Sequence, residues 1–293
     1  MGPTWDPTFS DMTLEIRNFL QAAGIAALAA HPVAIDVPML LQDYLAGRVR
    51  IEAPAAAANE QSDASHPNDL YFLQLGGRTV AVQPVRGVIA AGVSPFMEAY
   101  YGFFNLDRIH AAAATVMANP AISALVLLMD TPGGSVLGLR AAADALLNLQ
   151  SIRPRLEVIS YSQRLNASAG MYLSAAAGSI HASPGAYIGS IGTIASLSDM
   201  SGLYAKIGIE KRVYTADSAL KGLGSGQITE AHDAHMREMV QTYSDEFKGW
   251  MSARRGLGPD AMQGQAWEAR LAPAGLADSV SIPTFEEFLA AML

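Results

Sequence analysis

Asn166-Ala167-Ser168-Ala169-Gly170-Met171-Tyr172-Leu173-Ser174-Ala175-Ala176-Ala177 is the stretch on which the reading of this sequence turns. Before it, Leu156-Glu157-Val158-Ile159-Ser160-Tyr161-Ser162 has the apolar, β-branched character of a buried strand. After it, Ala, Met and Leu favour helix. The chain therefore passes from strand to helix at Ser168. Unpaired N–H groups and the positive end of the helix dipole favour developing negative charge at such a point, and the small neighbours Ala167, Ala169 and Gly170 leave room for a substrate carbonyl. Two readings stand side by side: an N-cap serine, common in any protein, and a nucleophile.

Working outward, the pattern repeats. Tyr71 to Leu75 and Thr79 to Pro84 read as two strands joined at Gly76-Gly77. Leu106, Ile109, Ala113 and Val116 mark a helix capped by Asn105; Ala124 to Met129 is a continuous apolar strand; Val136, Leu139, Ala143 and Leu146 mark the next helix. Strand and helix in alternation predict a parallel sheet with right-handed crossovers. Further on, the sequence predicts a glycine-punctuated strand over Tyr187 to Ile194, a helix near Asp199 to Ile207 and a strand over Lys211 to Tyr214. A long helix follows, whose apolar face, Met236, Val240, Tyr243, Phe247 and Trp250, is expected to be core.

Asp130-Thr131-Pro132-Gly133-Gly134-Ser135 follows the Ala124 strand at its carboxyl end, where open α/β sheets place ligands. Gly133 and Gly134 there are either a plain strand-to-helix turn or the backbone donors of an oxyanion hole. Ser190 stands where it could face a cleft. Lys221, in a glycine-rich loop, is either a solvated surface charge or a lysine desolvated enough to act as a base. His181, His232 and His235 lack metal-site spacing and read as structural or solvent-facing.

Composition bounds the alternatives. The 293 residues are 51% hydrophobic, ample for a large core, and the formal net charge of −8 argues against nucleic acid or an anionic membrane as partner. Zero cysteines exclude disulfides, a thiol nucleophile and thiolate zinc sites. The apolar run Phe19 to Ala30 is too short and interrupted to cross a bilayer, and acidic residues precede it, so neither a signal peptide nor a transmembrane anchor is expected. The expected organisation is a helical arm over 1–53, with helices in Ser10–Ala30 and Pro38–Leu45. A flexible linker then covers 54–69, poor in anything to bury, and a catalytic domain covers 70–293.

Asp130-Thr131-Pro132-Gly133-Gly134, Ala167-Ser168-Ala169-Gly170-Met171-Tyr172 and Gly189-Ser190-Ile191-Gly192, followed by Lys221, together resemble the signal peptide peptidase A family of serine–lysine proteases. Gly264-Gln265-Ala266-Trp267 with Ala274-Gly275-Leu276-Ala277-Asp278 is similar to that family's closing segment. The resemblance implies an α/β Clp protease/crotonase-like fold of repeated ββα and βαβ units, here with the helical arm appended, and peptide hydrolysis by a Ser/Lys dyad. It makes Ser168 the nucleophile, Lys221 the general base, Ser190 the hydroxyl that orients the lysine, and Gly133 and Gly134 the oxyanion donors, with no metal and no cofactor.

The single catalytic unit, the absence of an anchor and the preceding arm look most like the phage head-maturation branch, although the scaffold segment found after some of those proteases is not expected here. That branch implies a polypeptide partner, a phage scaffold or capsid protein, cleaved in the host cytoplasm or the procapsid interior by a ring-shaped homo-oligomer. A bacterial signal-peptide-degrading peptidase, a crotonase-like acyl-thioester enzyme and an inactive assembly factor remain the alternatives.

Overall fold

The computed structural model describes residues 49–52, 66–197, 199–216, 219–222 and 227–293. The helices expected in Ser10–Ala30 and Pro38–Leu45, and most of the linker, lie outside the described residues. Ten strands are described: β1 Val49–Glu52, β2 Tyr71–Leu75, β3 Arg78–Arg86, β4 Val88–Ala90, β5 Phe103–Asn105, β6 Ile122–Thr131, β7 Glu157–Ala167, β8 Ser179–Ala182, β9 Tyr187–Gly189 and β10 Ala266–Glu268. The helices are α1 Pro95–Tyr101, α2 Asp107–Ala118, α3 Leu139–Ile152, α4 Ala169–Ser174, α5 Ser201–Lys206, α6 Glu230–Arg255 and α7 Phe285–Ala291.

The main sheet runs β1-β2-β3-β6-β7-β9-β10, with β8 also on β7. Its centre, β3, β6 and β7 with β8 and β9, is parallel, and its two edges are antiparallel. A strand buried on both faces needs a continuous apolar run, and β6 supplies one from Ala124 to Met129. Leu125, Leu127 and Met129 face the layer of α2 and α3; Ala124, Val126 and Leu128 face α7. On the α7 side Tyr161 of β7 stacks on Phe288 at 4.8 Å between ring centres and donates its hydroxyl to the Ile282 carbonyl at 3.2 Å. Burying Phe288 contributes about 1.5–3 kcal/mol.

Several expectations change in the details. Asn105 does not cap α2 as its boundary residue: the helix starts one residue later, and the Asn105 side chain accepts from the Asp107 N–H at 3.1 Å. Val136 precedes α3, because Gly138 at φ 77° turns the chain first. The strand expected over Tyr187 to Ile194 ends at Gly189, since Ser190 takes a positive φ that no ladder accommodates. Lys211 to Tyr214 is not a strand: the segment pairs with no strand among the described residues, and Val213 and Tyr214 are exposed.

The arm and linker boundaries also meet structure. β1 lies in the segment read as arm and pairs antiparallel with β2. Asn68, read as linker, is buried; its amide donates to the Arg86 carbonyl and accepts from the Arg86 N–H, both at 3.0 Å, which clamps the chain just before β2.

Candidate active site

β7 does not run straight into its turn. Met129 pairs with Ser162 and Thr131 with Asn166, so four residues of β7 span what two span on β6, and the irregularity re-aims the strand end. Ser168 follows at φ 52°, ψ −118°, as the boundary residue of α4. Its hydroxyl makes no capping bond, so the N-cap reading does not describe it. Ser168 and Ser190, at φ 55°, are the non-glycine residues with positive φ among the described residues. Each such conformation costs roughly 1–3 kcal/mol and persists only where surrounding structure enforces it. Here the Ser168 N–H donates to the Gly189 carbonyl at 2.8 Å, and the Ser190 N–H to the Gln265 carbonyl at 2.5 Å. Gln265 belongs to the closing segment, which reaches the site by pairing β10 with β9.

Gly133 and Gly134 face Ser168 for separable reasons. A Cβ on Gly133, at φ 103°, would stand 2.6 Å from the Ser168 Cβ; one on Gly134 would stand 1.9 Å from the Ile89 carbonyl oxygen. The Gly133 N–H donates to the Thr131 hydroxyl at 3.0 Å. The bridge between Ile89 and Gly134 uses the Ile89 N–H to the Gly133 carbonyl and the Ser135 N–H to the Ile89 carbonyl, both 2.8 Å, which leaves the Gly134 N–H out of the ladder. Ala169, first residue of α4, offers a second N–H of the kind a helix start leaves unpaired. Position after a turn serine was its only sequence signal.

Ser168, Ala169, Gly134 and Ser190 line one cleft of about 1080 Å³. Its walls are the 134–138 loop with the start of α3, the 192–195 segment and the α6 side chains Met236, Met239, Val240, Tyr243 and Phe247. The α6 face expected to be core is therefore divided: Phe247 is buried at the cleft wall, while Met236, Val240 and Tyr243 line the cleft and are only half-buried. Tyr172 forms part of the floor and stacks on Trp250 at 5.0 Å, and the Trp250 indole N–H donates to the Tyr172 carbonyl at 3.0 Å. Burial, with the Glu246 carboxylate nearby, raises the Tyr172 pKa above the ordinary phenol value.

Lys221 is exposed on a short 3-10 turn, Ala219–Gly222, and is not among the residues that line the cleft. His181 sits by Ser179 and Phe288, and His232 is buried in the capping box that opens α6; neither lines the cleft. Among the described residues no three His, Asp or Glu side chains converge as metal ligands, and no helix is long and apolar enough to cross a membrane.

Comparison with known proteins bears on this geometry. The chain is 27% identical over 268 residues to capsid assembly protease C of Escherichia phage lambda, covering 84% of this chain and 58% of that protein. It is 26% identical over 228 residues to the head-tail preconnector protein GP5 of Enterobacteria phage P21, covering 74% and 43%. A 163-residue stretch is 28% identical to the Na(+)/H(+) antiporter NhaA of Brucella abortus, covering 54% of this chain and 22% of the antiporter. The chain thus spans less than two thirds of each of these relatives. Residues 151–282, which include Ser168, Ser190 and Lys221 but not the two glycines, match the model of peptidase family S49. The strained serine therefore lies within the segment, residues 151–282, that matches the peptidase family S49 model.

Proposed function

We propose that this chain is a serine endopeptidase of phage capsid assembly, with Ser168 as nucleophile and Lys221 as general base. The observation that carries the reading is the Ser168 turn: a strained, uncapped serine at a helix start, on a large apolar cleft and inside the matched peptidase segment. In this reading a neutral Lys221 amine, oriented by the Ser190 hydroxyl, takes the Ser168 proton as the oxygen attacks the peptide carbonyl. The N–H groups of Gly134 and Ala169 stabilise the oxyanion, with Gly133 permitting the close approach. The lysine returns its proton to the leaving amine, and water then hydrolyses the acyl-enzyme.

Because Lys221 is exposed and outside the cleft, the dyad in this reading is completed on assembly, a neighbouring copy in a ring presenting its lysine. Support comes from the segment between Ser190 and Lys221, where Ile194, Leu203, Ile207, Ile209 and Tyr214 expose large apolar surface. The two phage relatives support a scaffold or capsid protein as substrate, cleaved in the host cytoplasm or the procapsid.

Complementation tests the mechanism. Ser168→Ala and Lys221→Ala are each expected to be inactive on a denatured protein substrate. Co-refolded at equal amounts, they are expected to recover about a quarter of wild-type activity, the share of sites that draw an intact serine and an intact lysine from different copies. Near-normal turnover by Lys221→Ala alone would remove the dyad. Mixed rings without recovered activity would return the lysine to its own chain's cleft.

A further inference from the structure

Beneath the Ser168 turn lies a polar cluster that the mechanism does not use. Ser160 and Ser162 of β7, Asn166 at its end and Ser174, the last residue of α4, are all fully buried. The Asn166 Nδ2 donates to the Ser162 Oγ at 2.9 Å and to the Ser174 Oγ at 2.8 Å, and the Ser174 and Ser160 hydroxyls meet at 2.7 Å. The Asn166 Oδ1 is buried with no hydrogen-bond partner among the described residues.

On the same face of the sheet the neighbouring strand presents Leu125, Leu127 and Met129, and apolar side chains at these β7 positions would pack there without any polar group to satisfy. The placement of the bonds suggests what the cluster does. One contact reaches back across the β7 irregularity to Ser162, and the other reaches forward to the far end of α4, so a single amide ties the two arms of the turn that holds Ser168 at φ 52°. Gly170 is fitted to that amide: a Cβ there would stand 2.5 Å from the Asn166 Oδ1 and 2.6 Å from the Thr131 Cγ2.

We infer that Asn166, bonded to Ser162 and Ser174, is the positioning residue that holds the Ser168 turn and aims the first N–H groups of α4. The inference rests on the peptidase reading for its kinetic consequence alone; the mechanical one stands without it. Asn166 touches no reacting atom and acts through the backbone it ties.

Two readouts test it. In Asn166→Ala the rate at which a fluorophosphonate probe labels Ser168 is expected to fall about 100-fold, and kcat is expected to fall similarly with KM within threefold, as for loss of alignment. Amide hydrogen exchange in the peptide spanning residues 168–175 is expected to speed at least about tenfold, while exchange in β6 is unchanged. Ser174→Ala is expected to show the same pattern more weakly. Combined with Asn166→Ala it should add little, because the two act as one unit. Labelling and exchange at wild-type rates in a folded Asn166→Ala would overturn the inference, as would exchange that rises equally throughout the protein. If Asn166→Ala does not fold, Ser174→Ala carries the same two readouts. A wild type that takes up no probe sinks the peptidase reading, and the exchange arm still decides the role of Asn166.

Discussion

Replacing Gly133 with alanine puts the placement of Ser168, the proposed nucleophile, to a quantitative test. The new methyl would stand 2.6 Å from the Ser168 Cβ and 2.9 Å from the Ala167 carbonyl oxygen, on a residue whose φ is 103°. Carbon atoms sit comfortably at about 3.5–4.0 Å, so either the loop or Ser168 must withdraw by roughly 1 Å. A displacement of that size at a reacting group costs about 100-fold in rate, or about 2.7 kcal/mol of barrier. The strained backbone adds roughly 1–3 kcal/mol of destabilisation, a fall in Tm of about 2–4 °C for each kcal/mol. The assay pairs the rate of fluorophosphonate labelling with a thermal melt. Gly134→Ala is the contrast: its methyl would collide with the Ile89 carbonyl at 1.9 Å and break the bridge between β4 and the 133–135 segment, so stability should suffer more. A Gly133→Ala protein that labels at the wild-type rate and melts within a degree of it would refute the argument that Gly133 sets the position of Ser168.

Other perturbations follow from contacts described above or from the charges around them. Trp250→Ala removes the stack on Tyr172 and the indole bond to its carbonyl, so a loss of about 2–4 kcal/mol in urea unfolding is expected, with Trp250→Phe losing about 1 kcal/mol; no loss in Trp250→Phe would deny the bond a role, and equal losses would deny the stack one. Burial holds the pKa of His181 below its usual value despite the Asp278 carboxylate nearby, and burial does the same to His66. The unfolded chain therefore binds more protons than the folded one between those lowered values and about pH 6.5, and stability should fall as pH drops through that window. His181→Asn should flatten the fall, and an unchanged slope would clear His181. Removing residues before Leu70 strips β1 from β2 and bares the Tyr71–Leu75 edge, so that truncation should associate or aggregate in light scattering, whereas one starting just before β1 should not.

The turn at Ser168 was legible because small residues crowd between an apolar strand and a helix, although the same residues alone read equally as an ordinary N-cap. Gly133 and Gly134 were legible as a pair but not in their division of labour, which depends on the Thr131 hydroxyl and on Ile89 across the sheet. The α6 face was misread in part because periodicity reports that a stripe is apolar, not whether a packed layer or a cleft lies opposite; Met236, Val240 and Tyr243 obey the spacing of a core and border a cleft among the described residues. Lys211 to Tyr214 has strand composition without a strand, since pairing needs a neighbour that sequence does not reveal. Asn166 left only a faint trace, an amide with serines four residues before and eight after it.

Between His232 and Phe247 no residue of α6 is buried, although Met236, Met239, Val240 and Tyr243 all turn toward the cleft. Among the described residues no layer covers this half of the helix, and in the peptidase reading a bound polypeptide would supply one. Occupancy would then register as folding does: a negative heat-capacity change, a higher melting temperature and slower exchange along residues 233–246. An occupant of this cleft would be, for as long as it stays, a missing layer of the protein's own core.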